Sequence, residues 1–125
     1  MEKYNLEKFI EFVADLVDEF DFFYEREINS KYYFLNGGCY ELFKVINHYF
    51  PESRCVINKD LNHCAILYNG EIYDITGKIE NKKDYRFVIS QDIVYLESMI
   101  NIRELNNKHI INELDKCRIK GKLYE

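Results

Sequence analysis

Along residues 3–20 the apolar side chains Leu6, Phe9, Ile10, Val13, Leu16, Val17 and Phe20 recur at steps of three and four. That spacing places them on one face of a helix, with acids and lysines on the other. Residues 21–36 mix aromatic and polar positions without a clean period. They read as an irregular stretch with room for a second helical piece, ending in a turn at Asn36, Gly37 and Gly38. Residues 39–50 return to the helical period through Cys39, Leu42, Phe43, Ile46 and Phe50. Pro51 then stops the helix, because the residue before a proline disfavours helical geometry.

The pattern next changes to short strands. Residues 54–59 and 62–68 read as strands. Asn69-Gly70 is a strong two-residue hairpin signal, residues 71–75 are the return strand, and Gly77 closes it. Residues 84–89 suggest one more strand. Ser90 is then expected as the N-cap of a helix over 92–101 carrying Ile93, Leu96, Met99 and Ile100. Asn106-Asn107 breaks that helix, and a last one runs over 108–118 with Ile110, Ile111, Leu114 and Cys117. Helices, strands and helices in that order predict an α+β fold: N-terminal helices packed on a small antiparallel sheet built around the hairpin 62–75, followed by C-terminal helices. With 125 residues, 47% of them apolar, a single domain over 1–125 is expected.

Charge and composition narrow the function. The first thirty residues hold nine acids and three bases, a balance of −6, whereas the whole chain carries −5. The acidic character therefore belongs to the first helical region. It reads either as a solvated helix face or as a surface for a basic partner. A net negative chain argues against nucleic-acid binding. No run approaches the ~18 apolar residues of a membrane span, and residues 1–9 do not resemble an export signal, so a cytoplasmic protein without membrane contact is expected. Eleven Tyr and nine Phe supply core and core edge, or line a small-molecule pocket.

The cysteines are Cys39, Cys55, Cys64 and Cys117. None has CxxC spacing, and only His63 and Cys64 adjoin. Neighbours on a strand point to opposite faces, so no metal site is expected, nor any cofactor. In a reducing compartment disulfides are not expected. Cys55 and Cys64 read as core, Cys117 as helix packing, and His48 and His109 as surface residues. The basic positions Lys116, Arg118, Lys120 and Lys122 read as a solvated tail.

Cys39 differs. It follows two glycines and opens a helix, where the partial positive charge of the helix N-terminus favours thiolate over thiol. Its plainer reading is a small core residue facing the sheet. In the hairpin, a two-residue turn at Asn69-Gly70 pairs Tyr68 with Glu71, Leu67 with Ile72, and Ala65 with Asp74. His63, Ala65 and Leu67 then share a face with Ile72, Asp74 and Thr76. His63 and Asp74 become diagonal neighbours within side-chain reach, so the carboxylate is placed to orient the imidazole.

The stretches NGGCYELF and NHCAILYNGEIYDITG, within residues 32–77, resemble the order found in papain-like cysteine hydrolases, including NlpC/P60-type proteins. There a cysteine opens a helix, a histidine starts a strand and a polar residue follows on the next strand. The resemblance implies a papain-like domain with Cys39 as nucleophile, His63 as general base and Asp74 as orienter. It also implies oxyanion or substrate contacts from Asn36, Gly38 and Tyr33, and a peptide or amide substrate cleaved or transferred through an acyl-enzyme. Degenerate members of such folds bind without catalysing. The alternative is accordingly a non-catalytic phage or mobile-element protein on the same scaffold. It would inhibit a basic host-defence protein through Glu11, Asp15 and Asp18 of the acidic helix.

Overall fold

The computed structural model describes residues 5–99 and 105–119, with side chains through residue 117 in the second stretch. The fold is α+β, as the pattern predicts. Helix α1 spans Leu6–Asp18 and buries Leu6, Phe9, Ile10, Val13 and Val17. Asn5 caps it, accepting the Lys8 N–H at 3.1 Å, and so satisfies a donor that has no partner within the helix. Residues 3 and 4 of the expected helix lie outside the described residues.

The stretch expected to be irregular forms two short helices, α2 (Asp21–Arg26) and α3 (Ser30–Leu35). Glu27, in the left-handed region at φ 57°, ends α2, and the Asn29 side chain caps α3 through Tyr32 N–H at 2.7 Å. The apolar period is hidden here because each helix is only six residues long and turns a different face inward. Phe23, Tyr33 and Phe34 are nonetheless buried, in one core with α1, Leu42, Val45 and Ile46.

Helix α4 (Cys39–Tyr49) runs to Phe50 and stops before Pro51. Its first turn is tied to the end of the chain. Glu41, 3% exposed, accepts the Asn107 backbone N–H at 2.5 Å and the Asn107 side-chain amide at 2.9 Å. Lys44 balances that carboxylate at 3.2 Å.

Five strands form one antiparallel sheet: β1 (Arg54–Asn58), β2 (Cys64–Tyr68), β3 (Glu71–Asp74), β4 (Gly77–Ile79) and β5 (Tyr85–Phe87), in the order β4-β3-β2-β1-β5. Asn69 and Gly70 take φ of 52° and 80°, which gives the two-residue turn and the expected pairs Tyr68 with Glu71 and Leu67 with Ile72. Gly77 does not end the sheet. At φ 111° it turns the chain back and pairs with Asp74, opening β4. One sheet face, with Cys55, Ile57, Cys64 and Ile66, packs on the helices; the other gathers Val56, Ala65 and Ile72.

Helix α5 spans Ser90–Ser98 and α6 spans Asn107–Ile119. Ser90 is the first helical residue, not the cap. Ile89 holds the cap position, and its N–H bonds to Asp92 Oδ2 at 2.9 Å, while Arg86 braces the same carboxylate at 2.9 and 3.3 Å. Asp92 in the third helical position thus supplies the carboxylate that the expected Ser90 cap lacks. Ile100, Lys120 and Lys122 lie outside the described residues, as does the Arg118 side chain. Among the described residues no helix is long and apolar enough to cross a membrane.

Candidate functional site

The start of α4 meets one end of the sheet, and there the chain brings Cys39, His63 and Asp74 together. Two glycines make the approach possible. Gly37 has φ 111°, and a Cβ there would lie 2.9 Å from the Met99 carbonyl oxygen. A Cβ on Gly38 would meet the Tyr33 ring at 2.6 Å. The backbone therefore passes closer to the α5 end and to Tyr33 than any side chain allows.

Cys39 is 5% exposed and packs with Cys55, Ile57, Cys64 and Leu96. Its sulfur accepts the backbone N–H of Cys64 at 3.3 Å. The thiol is pulled down to about 5, first by a hydrogen bond with the Cys64 side chain. Burial opposes this, and the bonded, cationic His63 and the Cys64 N–H add to the lowering. The Cys64 thiol is pushed up by its bonds with Cys39 and Cys55 and by burial. All four cysteines are free thiols.

His63 stands just before β2, in the turn that joins it to β1. The Asn58 side chain fixes that turn, its oxygen accepting the N–H groups of Asn62 at 3.0 Å and His63 at 3.1 Å. The imidazole Nε2 lies 3.0 Å from Asp74 Oδ2. Burial would push the ring down, but hydrogen bonds to Asp74 and Cys39 outweigh it and raise His63 to about 9. Asp74 keeps its own orientation through Thr76, whose N–H (2.8 Å) and hydroxyl (2.5 Å) both donate to Oδ1. Against burial, these bonds and that of His63 hold the Asp74 carboxyl below its ordinary range. The result is a thiolate facing an imidazolium that a saturated carboxylate supports.

An open cleft of about 520 Å³ adjoins His63, lined by Leu35, Asn36, Gly37, Asn62, His63 and Met99; Cys39 and Asp74 are not among its lining residues. Of the oxyanion candidates, Asn36 lines this cleft, and its amide donates to the Tyr32 carbonyl at 2.9 Å. Gly38 N–H is bonded to the Tyr33 carbonyl at 2.9 Å, and the Tyr33 hydroxyl donates to the Leu105 carbonyl at 3.4 Å. Burial, then Glu41 and Cys39, pushes the Tyr33 hydroxyl well above its ordinary value, so it stays a neutral donor. Cys39 opens α4, so its own N–H has no partner one helical turn back.

Asn58 and Thr76 carry the placement of His63 and Asp74, yet neither stands out in the sequence. Their signal is an Asn at a strand end before a tight turn and a Thr two residues after an acid, both common turn chemistry. The remaining candidates sit apart. Glu11, Asp15 and Asp18 are exposed on α1, although Asp18 also accepts the Ser30 N–H at 2.6 Å. His109 packs edge-on against Phe20 and His48 against Tyr49. Among the described residues no cluster of His, Cys, Asp and Glu is placed to hold a metal ion.

No curated protein and no solved structure matches the chain. A family model described as Phage YunG-like protein matches residues 16–116. This overturns the papain-like, NlpC/P60-type resemblance. That resemblance rested on the order of a helix-opening cysteine and a strand-end histidine, a local arrangement that unrelated chains reach through the same helix-start and hairpin geometry. With most of its length inside the match, the chain belongs to the Phage YunG-like family.

Proposed function

We propose that this phage-associated chain carries a cysteine-dependent acyl hydrolase or transferase site. The observation that carries the reading is the His63 imidazole held by Asp74 at 3.0 Å beside a cysteine whose thiol it helps to pull down. Asp74 occupies Nε2, which leaves Nδ1 for the sulfur. The thiolate attacks the carbonyl carbon of a peptide or amide that lies in the cleft beside His63. The developing oxyanion takes the helix-start N–H of Cys39, aided by the α4 dipole and the cleft-lining Asn36. His63 gives its proton to the leaving amine and then draws one from the water, or acceptor amine, that releases the acyl group. Iodoacetamide at neutral pH tests the starting state: Cys39 is alkylated well ahead of Cys55, Cys64 and Cys117. Slow, equal labelling of all four removes the basis for the reading.

The family favours a second reading more directly, that of a binding protein which blocks a basic host-defence protein. Glu11 and Asp15 project from α1 into solvent and supply its surface. Reversing both to lysine abolishes capture of such a partner under this reading, while Cys39→Ala leaves it intact. The opposite pattern supports the thiol site. Asp18 is a poorer probe, because its reversal also breaks the bond to Ser30.

A further inference from the structure

Three thiols, not one, meet at the start of α4. Cys39, Cys55 and Cys64 pack in one cluster with Ile57 and Leu96. The nitrogen of Cys64 lies 3.3 Å from Cys39 Sγ, and only three covalent bonds separate that nitrogen from the Cys64 sulfur. Cys39 and Cys55 both act on the Cys64 thiol and push it up, so it keeps its proton beside the thiolate. In acyl transfer the Cys64 side chain does no more than donate to the Cys39 thiolate, a task that a hydroxyl at that position would also perform. A second sulfur held against a nucleophilic one is the arrangement of a resolving cysteine.

We propose that Cys64 resolves oxidised Cys39, so that a hydroperoxide closes a Cys39–Cys64 disulfide and reversibly silences the site. This rests on the thiolate of the site described above but not on acyl transfer. In the first step the Cys39 thiolate attacks the hydroperoxide: an S–O bond forms, the O–O bond breaks, and His63 gives its proton to the departing oxygen. Cys39 is thereby oxidised to the sulfenic acid and the hydroperoxide reduced to an alcohol, or to water where it is hydrogen peroxide. In the second step the Cys64 sulfur attacks Cys39 Sγ. The S–S bond forms, the S–O bond breaks, and the hydroxide leaves as water with the Cys64 proton. Charge favours this order: the Cys39 thiolate helps to hold the proton on Cys64, and that contribution ends once Cys39 is a neutral sulfenic acid, while those of Cys55 and burial remain.

The test treats the full chain with hydrogen peroxide and maps the products by mass spectrometry, after a parallel iodoacetamide assay of Cys39. The expected wild-type product is a Cys39–Cys64 cross-link that dithiothreitol reverses. Cys64→Ser keeps a hydrogen-bond donor beside the thiolate but cannot form the cross-link. In that variant Cys39 passes to sulfinic acid, which dithiothreitol does not reverse. Cys55→Ala keeps the cross-link. If Cys64→Ser fails to fold by circular dichroism, the wild-type map and Cys55→Ala decide. Fast alkylation of Cys39 without a cross-link, or a cross-link to another cysteine, overturns the resolving role and leaves the thiolate standing. Slow alkylation of Cys39 overturns both.

Discussion

Asp74 Oδ2 stands 3.0 Å from Nε2 of His63, and its other oxygen is already filled by Thr76. A carboxylate so satisfied cannot swing away to solvent without losing three donors, so the imidazole is aimed by a fixed group. Replacing Asp74 with Asn keeps the shape but removes the charge that supports the imidazolium. We expect His63 to titrate lower in Asp74→Asn and the Cys39 thiolate to lose part of its stabilisation. Iodoacetamide alkylation of Cys39 followed against pH then shows a midpoint above the wild-type value of about 5. Thr76→Val is expected to shift the midpoint in the same direction by less, because it removes one bond to Asp74 and keeps the Thr76 N–H.

If the site turns over an amide, its rate follows the paired state. The thiolate is lost below about 5 and the imidazolium above about 9, so kcat/KM is bell-shaped with limbs near those values. A single acid limb with no fall on the alkaline side would remove His63 as the proton donor.

The coupled shifts also shape stability. His63 is raised from 6.5 to about 9, so its contribution is full below 6.5 and lost as pH rises through 9. Cys39 is lowered from 9.0 to about 5, so its contribution is full above 9 and lost as pH falls through 5. Between 6.5 and 9 the two slopes oppose: the folded protein holds one proton on His63, and the unfolded chain holds one on Cys39. Wild-type Tm is therefore expected to be nearly flat from these groups across that range and to fall between about 6.5 and 5. In Cys39→Ser only the His63 slope remains, and Tm declines as pH rises above 6.5. Thermal unfolding at stepped pH separates the two proteins, and an equally flat Cys39→Ser profile would contradict the pairing.

Much of this geometry was legible in residue order. The period of α1 and α4, the Asn69-Gly70 turn and the alternation that brings His63 and Asp74 to one face are local rules, and the structure follows them. The rest depends on contacts between distant segments. The capping of α5 by Asp92 needs Arg86 from β5, and the seating of α6 needs Glu41 from α4. The papain-like resemblance implies Tyr33 as an oxyanion or substrate contact because it lies just upstream of Cys39. Only the folded chain shows its ring filling the space beneath Gly38 and its proton given to Leu105. The helices α2 and α3 were masked for a different reason: six residues give too little period to recognise.

Glu41 offers a test of the long-range seating. It is a buried carboxylate bonded to the backbone and side chain of Asn107 and balanced by Lys44. Glu41→Ala leaves the Asn107 N–H at the start of α6 without its acceptor. A loss of about 1–3 kcal/mol is expected by denaturant titration. Hydrogen exchange is expected to speed up first in α6, and protection lost evenly over the whole chain would mean that the bond has no local role.

The glycines before Cys39 provide the sharpest packing test. In Gly38→Ala the new Cβ would meet three atoms of the Tyr33 ring between 2.6 and 2.8 Å away. That ring is 4% exposed and packs between Phe23 and Phe34, so it has no free direction in which to move. Overpacking of this kind costs about 1–3 kcal/mol. Tyr33→Leu removes the ring, and with it the hydroxyl bond to Leu105, so that variant is destabilised on its own account. If the clash with the ring is the cause, the double variant is less destabilised than the two single losses added together, because Gly38→Ala costs little once the ring is gone. Strict additivity in urea unfolding would assign the penalty to the backbone of residue 38 instead. Alkylation of Cys39 in Gly38→Ala then reports the consequence for the site, since any shift of α4 away from Tyr33 lengthens the contacts of the sulfur with Cys64 and His63 and slows the reaction.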